Sequence, residues 1–257
     1  GSMNAFPRVP PIVVSVVSHG QAALVERLLG DIERHWNLSN LSVVLTLNIP
    51  EQLPFDPAAF SFAVLVLRNI RPKGFGANHN QAFAHSGAEL FCVLNPDIRA
   101  RTDPMPMLRR ELRRRNRTGL VAPAIVNSQG QIEDSARRRL TPRRLVSRVV
   151  MRRRGAEYAI GREPLNPDWI AGMFLLLRAR VFAQAGGFDE RYFMYCEDAD
   201  LCRRVRHLGY RVTLTPDSRV VHDAQRASHS SLRHLLWHIS SLLRYMATSP
   251  RPADAGF

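Results

Sequence analysis

The stretch "PPIVVSVVSHGQAALVERLLGDIERHWNLSNLSVVLTLNIP", residues 10–50, contains one complete folding unit. It opens with a β-branched apolar run that stops at the polar pair Ser18-His19. Branched side chains suit a pleated, buried strand. Residues 21–36 then set Ala23, Leu24, Leu28, Leu29 and Ile32 at helical spacing. A second apolar run, 41–50, closes at Pro50. Strand, helix and strand joined by short links predict a parallel pair with a right-handed crossover.

Reading outward extends the pattern. "FAVLVLRN", 62–69, predicts a third strand, and "ELFCVLNPDI", 89–98, a fourth. Between them "GFGANHNQAFAHSG" predicts a glycine turn and a helix ending near Gly87. The alternation predicts an α/β fold, a mostly parallel central sheet flanked by helices. Ligands gather at the carboxyl ends of such strands. Ser18, His19, Asn48, Arg68, Asn69, Asn95 and Asp97 are the polar residues at those ends. Residues 104–117 predict a surface helix with a basic face, and 133–155 a basic loop with some helix. "DWIAGMFLLLRARVFAQAGGFDE", 168–190, predicts a strand and a short helix closed by Gly186-Gly187. "YRVTLTPDSRVVHD" predicts a strand and a turn, and 231–246 an amphipathic helix.

The chain has 257 residues, and Gly1-Ser2 before Met3 reads as a tag remnant. No secretory pattern opens it, and no run of about 18 apolar residues predicts a membrane span. Its three cysteines, Cys92, Cys196 and Cys202, lack metal spacing and predict reduced thiols in a cytoplasmic protein. The net charge of +14 stands out, and Lys73 is the sole lysine. Arginine forks match phosphates and carboxylates, so the partners this charge fits are nucleic acid, an anionic membrane surface or a phosphorylated substrate. The arginine runs carry no interleaved aromatics and no nucleic-acid-binding motif, which argues against nucleic acid. A nucleotidyltransferase of similar fold needs a glycine loop with a lysine near the N-terminus, and residues 18–30 have no lysine. A catalytically dead, membrane-binding protein is a further alternative, as is a transferase that uses another nucleotide sugar.

"RYFMYCEDADLCRRVRHLGYR", 191–211, sets Glu197, Asp198 and Asp200 at the start of a helix that Gly209 ends. One reading makes Asp198 a helix cap, with its neighbours favouring the positive dipole end. But one carboxylate suffices for a cap, and a carboxylate held at a helix start also suits a general base. Asp97, directly after a strand, is either a turn residue or a ligand for magnesium or manganese. His222, ending "RVVH", is either structural or a metal ligand. "KGFGANHN" fits neither the P-loop nor the dinucleotide fingerprint.

The order of these pieces carries a resemblance: Gly-Phe-Gly with Asn78 and Asn80, then "LNPD", "DWIAGMFLLLR", "GGFDERYFMYCEDADLCRR" and "PDSRVVH". Over roughly 11–246 the chain resembles the inverting family 2 glycosyltransferases of GT-A fold, and within them the bacterial rhamnosyltransferases of O-antigen and cell-wall assembly. The resemblance implies a single GT-A domain over 3–257. A nucleotide-sugar half spans about 11–100, an acceptor half about 101–230, and a C-terminal amphipathic helix 231–246. It implies Asp198 as catalytic base, and Asp97 and His222 on Mg²⁺ or Mn²⁺. Ser18, His19, Asn48, Asn69, Gly74, Phe75, Gly76, Asn80 and Asn95 fall to the nucleotide sugar. Asp168, Trp169, Gly172, Glu197 and Asp200 fall to the acceptor and sugar pocket. It also implies transfer of L-rhamnose from dTDP-L-rhamnose to a polyprenyl-diphosphate-linked saccharide, at the inner face of the bacterial plasma membrane. One departure touches nucleotide recognition: Leu47-Asn48 stands where the family usually has Asp-Asn.

Overall fold

The structure, a computed structural model, describes residues 9–133, 136–137, 163–194, 196–223 and 232–248. β1 (Ile12–Ser18), α1 (Ala22–His35) and β2 (Leu41–Leu47) form the predicted unit, followed by β3 (Ala63–Arg68), α2 (Phe75–Ala84) and β4 (Leu90–Leu94). β2 stops at Leu47, short of Pro50. α2 begins at Phe75, so Gly76 lies within the helix instead of a turn. The fourth strand also ends early. Asn95-Pro96-Asp97 turn the chain, and β5 (Ile98–Arg99) pairs elsewhere.

α3 (Met105–Arg114) is basic outside but buries Leu108 and Leu112. β6 (Thr118–Val126), which the sequence reading did not find, follows, and then the short β7 (Ala136–Arg137). After β8 (Trp169–Ile170) come β9 (Phe174–Arg178), α4 (Ala179–Gln184), α5 (Glu197–His207), β10 (Arg211–His222) and α6 (Leu232–Ala247). The expected strand and turn at 210–223 are one strand. Its parallel register with β6 shifts between Thr215 and Arg219, so residues 216–218 bulge. Of the expected basic loop with some helix at 133–155, all but 133 and 136–137 lies outside the described residues.

The sheet runs β3-β2-β1-β4-β9-β6-β10-β5. β3, β2, β1 and β4 are mutually parallel, β9 is antiparallel to both β4 and β6, and β10 is parallel to β6. The mixture has a consequence for function. Running against β4, β9 brings its own N-terminal approach, Gly172-Met173, to the carboxyl edge of β4. Alternation along β1 feeds both cores. Ile12, Val14 and Val16 pack with α1 and α3, while Val13 joins the core of α2, α4 and α5. Each such buried aliphatic contributes roughly 1.5–3 kcal/mol.

Candidate active site

At the ends of β1, β2 and β3 the polar residues bond mainly to one another. Asn48 is the hub. Its Oδ1 accepts from Lys73 N at 2.8 Å and from Asn69 Nδ2 at 3.0 Å, and its Nδ2 donates to Lys73 O at 3.0 Å. Asn48 Nδ2 is also 3.1 Å from His19 Nδ1, and Asn69 Nδ2 donates to Asn78 Oδ1 at 2.7 Å. These bonds clamp the loop leading into α2. Ser18 Oγ donates to Glu51 and accepts from Gln21 N at 3.0 Å. Beside them a cleft of about 450 Å³ is lined by Leu47, Ile49, Glu51, Arg68 and Asn69.

α2 is fastened to the chain that precedes α5. Asn80 brackets one residue: its Nδ2 donates to Phe188 O at 2.8 Å, and its Oδ1 accepts from Phe188 N at 2.9 Å. Phe75 N donates to Phe193 O at 3.0 Å. A Cβ on Gly74 would stand 2.5 Å from Phe193 O, and one on Gly76 2.6 Å from Phe188 Cβ. Glycine is required at both by close approach, since neither has positive φ.

The second cluster is ionic. His222, ending β10, lies 2.8 Å from Asp97 Oδ2 through Nε2 and 2.8 Å from Glu133 Oε2 through Nδ1. The Asp97 bond, foremost, with the Glu133 bond, pushes the imidazole up to about 9 against the burial that opposes it. Asp97 Oδ1 is buried and has no partner among the described residues. Asp223 N donates to Asp97 O at 2.9 Å, and Arg27 holds the Asp223 carboxylate at 2.6 Å, tying α1 to this corner. Sequence reading missed Glu133, which stands 36 residues from Asp97 and 89 from His222.

Asp198 lies on the same edge. Asn95 N donates to Met173 O at 3.0 Å, and the adjoining Gly172 N donates to Asp198 Oδ2 at 2.9 Å. Two hydrogen bonds thus link the turn carrying Asp97 to the start of α5. Asp198 is not the helix cap. Cys196 occupies that position at φ 62°, with no side-chain cap, while Asp198 Oδ1 accepts from the adjacent Ala199 N at 2.8 Å. Glu197 is buried, with Oε2 unpartnered among the described residues, and burial together with the Asp198 charge raises its carboxyl well above the usual range. Asp200 is 1% exposed, and both its oxygens are held by arginines, Arg203 Nη2 and Arg204 Nε, each at 2.9 Å. Those arginines also reach Gly187 O and Tyr245 O, so Asp200 braces α5 against its neighbours. Asp168 pairs with Arg206 at 3.2 Å, and Trp169 is buried in β8.

A divalent cation fits the first corner by donor chemistry, since Asp97 has an orphaned buried oxygen beside an imidazole. Among the described residues no three protein ligands form a ready cage. Hard cations that take substrate phosphates need only one or two carboxylates.

Solved structures share this architecture. Over 93% of the chain it matches GalNAc-T7 bound to UDP, GalNAc and Mn²⁺, with a TM-score of 0.70, 16% identity and 48% of that chain covered. The mannosyltransferase PcManGT of Pyrobaculum calidifontis, with GDP-Man and Mn²⁺, matches over 96% at TM-score 0.60 and 19% identity, covering 67% of that chain. The fold is that of the GT-A glycosyltransferases. Within this fold, the chain is similar to bacterial rhamnosyltransferases. Rhamnosyltransferase WbbL of Escherichia coli (strain K12) is 42% identical over 81 residues, which is 31% of each protein. The N-acetylglucosaminyl-diphospho-decaprenol L-rhamnosyltransferase of Mycobacterium tuberculosis is 32% identical over 165 residues. That match takes in 60% of this chain and 54% of the relative, so the chain spans about half its length. No family model matches the chain.

Proposed function

We propose that this GT-A chain is an inverting glycosyltransferase that moves L-rhamnose from dTDP-L-rhamnose to N-acetylglucosamine carried on a polyprenyl diphosphate, in surface polysaccharide synthesis. The observation that carries the reading is the Asp198 carboxylate, oriented by two backbone N–H groups on the edge where Asp97 and His222 meet. The likeness to rhamnosyltransferases supports the sugar, and the mycobacterial relative's name supports the acceptor.

The nucleotide base enters the cleft between the ends of β2 and β3. Glu51 and Asn69 there offer polar contacts in place of the aspartate that Leu47 replaces. The Asn48 and Asn80 brackets hold the α2 entrance that lines the donor site. Asp97 and His222, with the donor diphosphate, are suited to hold Mg²⁺ or Mn²⁺, which neutralises the leaving group's charge when bound. Glu133 positions the His222 ring. The acceptor hydroxyl lies against Asp198, and its oxygen attacks the anomeric carbon from the face opposite the diphosphate. Asp198 takes the hydroxyl proton as the new C–O bond forms. The old C–O bond breaks, and its electrons leave with the nucleoside diphosphate. General-base help of this kind is worth about 10²–10⁴-fold. Asp168, Trp169 and Gly172 line the sugar side, while Glu197 and Asp200 fix the start of α5.

A lipid-linked acceptor sets the work at an anionic membrane surface, on the cytoplasmic face. Among the described residues no helix is long and apolar enough to cross a membrane, which agrees with peripheral attachment. The test is a screen of nucleotide sugars, with and without Mg²⁺ or Mn²⁺, on a water-soluble N-acetylglucosamine diphosphate analogue. Transfer from dTDP-L-rhamnose that stops on chelation is expected. Transfer from another donor alone would overturn the assignment of rhamnose, and transfer unaffected by chelation would overturn the metal assignment.

A further inference from the structure

α6 buries Tyr245 in the core and turns an apolar stripe outward. Ser241 and Tyr245 are buried, while Leu236, Ile239, Leu243 and Met246 are 57%, 46%, 58% and 42% exposed. Steps of three, four and three put these four on one helix face. Polar bonds hold the helix down. Ser241 Oγ donates to Met194 O, Arg203 donates to Tyr245 O at 3.1 Å, and its guanidinium lies 4.0 Å from the Tyr245 ring centre. The apolar face is therefore not what attaches α6 to the domain. Of eight large apolar residues exposed among those described, four are on this helix and a fifth, Phe193, adjoins it. The Phe193 ring packs on Trp237 at 4.9 Å, extending the patch to the loop that leads to Asp198.

Charge selects the occupant. From 224 to 253 the sequence has Arg226, Arg233, Arg244 and Arg251 and no Asp or Glu. A second copy would bring like charges together. An apolar stripe with cationic flanks instead suits a helix lying in the interface of an anionic bilayer. At 16 residues, α6 is about 24 Å long, too short to span.

We propose that the outer face of α6, continued by Phe193, docks on an anionic lipid bilayer. Docking there brings the lipid surface to the loop that leads into α5, where Asp198 lies. The inference rests on the reading of a lipid-linked acceptor for its purpose, and the binding itself is separately measurable.

The experiment is co-sedimentation of the full chain with vesicles of phosphatidylcholine alone and with added phosphatidylglycerol. A double variant, Leu236→Gln with Leu243→Gln, is checked for an unchanged melting curve. Its partition onto phosphatidylglycerol vesicles is expected to fall at least about tenfold, since two leucines lose their burial. Arg244→Ser is expected to lose roughly fivefold on phosphatidylglycerol vesicles and nothing on phosphatidylcholine. Transfer to a water-soluble acceptor should stay at the wild-type rate in both. Unchanged vesicle binding by the double variant, or no wild-type binding to either vesicle, overturns the proposal. So does a wild-type dimer in solution that the double variant abolishes, because the occupant is then a second copy. If binding depends on the two leucines but no soluble acceptor is glycosylated, docking stands and the transferase reading fails.

Discussion

At the ends of β2 and β3, three asparagine side chains share their donors and acceptors with each other and with Lys73. At the ends of β4 and β10 the groups are ionisable, and they are left strained or incomplete. Among the described residues Asp97 Oδ1 has no partner, and His222 is pushed up to about 9, first by Asp97. Nearby, at the start of α5, burial and the Asp198 charge raise the Glu197 carboxyl well above its usual range. Neutral amides that satisfy one another cost little and can be rigid, which suits a surface that must fit a ligand. Buried charges that lack partners cost stability and persist where chemistry or a missing ion uses them. In the proposed reaction the first region is scaffold for the donor and the second supplies the reactive groups.

Apart from Asp198→Asn, the largest effect that separates the two is expected from Asp97→Ala. Transfer should fall on the order of 10²–10³-fold, as for loss of one group stabilising developing charge. The melting temperature should fall at neutral pH, because the bond that chiefly raises His222 is removed along with the orphaned oxygen, so turnover is compared at a temperature where the variant is folded. Near-normal turnover at saturating metal would make Asp97 only a turn residue. Asn80→Ala should spare turnover. It strips both partners from the Phe188 backbone, at a cost of about 1–3 kcal/mol, while turnover at low temperature stays within a few-fold. A stable Asn80→Ala with a greatly raised donor KM would show direct contact with the sugar nucleotide and break the contrast.

The smallest effect concerns Glu197. Its carboxyl is raised when folded, so the folded chain holds that proton more tightly than the unfolded one. The stability this gives is complete below the ordinary value of 4.5 and is lost as pH rises through and above it. Glu197→Gln should therefore melt higher than wild type at neutral pH, by a few degrees for about 1 kcal/mol, and equally below about pH 4.5. A lower melting point at pH 7 would mean that the ionised carboxylate has a partner it needs.

The same contrast explains what the sequence made legible. The four parallel strands announce themselves by β-branched runs, and α1 by its spacing, because one period governs each. β6 was hidden by Pro123, which has no N–H and argues against a central strand. In the fold Pro123 pairs with Thr215 where β10 bulges, so the broken ladder is accommodated there. The same bulge made Pro216-Asp217 read as a turn. Gly76 was assigned to a turn because a glycine pair is turn chemistry; its reason is Phe188, over a hundred residues away. Asp97, His222 and Asp198 stood out by their places at strand ends and at a helix start, and the fold sets all three along one edge. Glu133 and the Arg203–Asp200–Arg204 brace depend on long-range packing and carry no local signal.

Asp198 decides between scaffold and chemistry, and Asp198→Asn tests it most directly. The substitution keeps the shape and one acceptor for the Gly172 or Ala199 N–H, and removes the base. Single-turnover transfer from dTDP-L-rhamnose to a soluble N-acetylglucosamine diphosphate analogue should fall about 10²–10⁴-fold, with donor affinity retained and a stability loss of about 1 kcal/mol. Transfer at the wild-type rate by a folded Asp198→Asn enzyme would contradict the account.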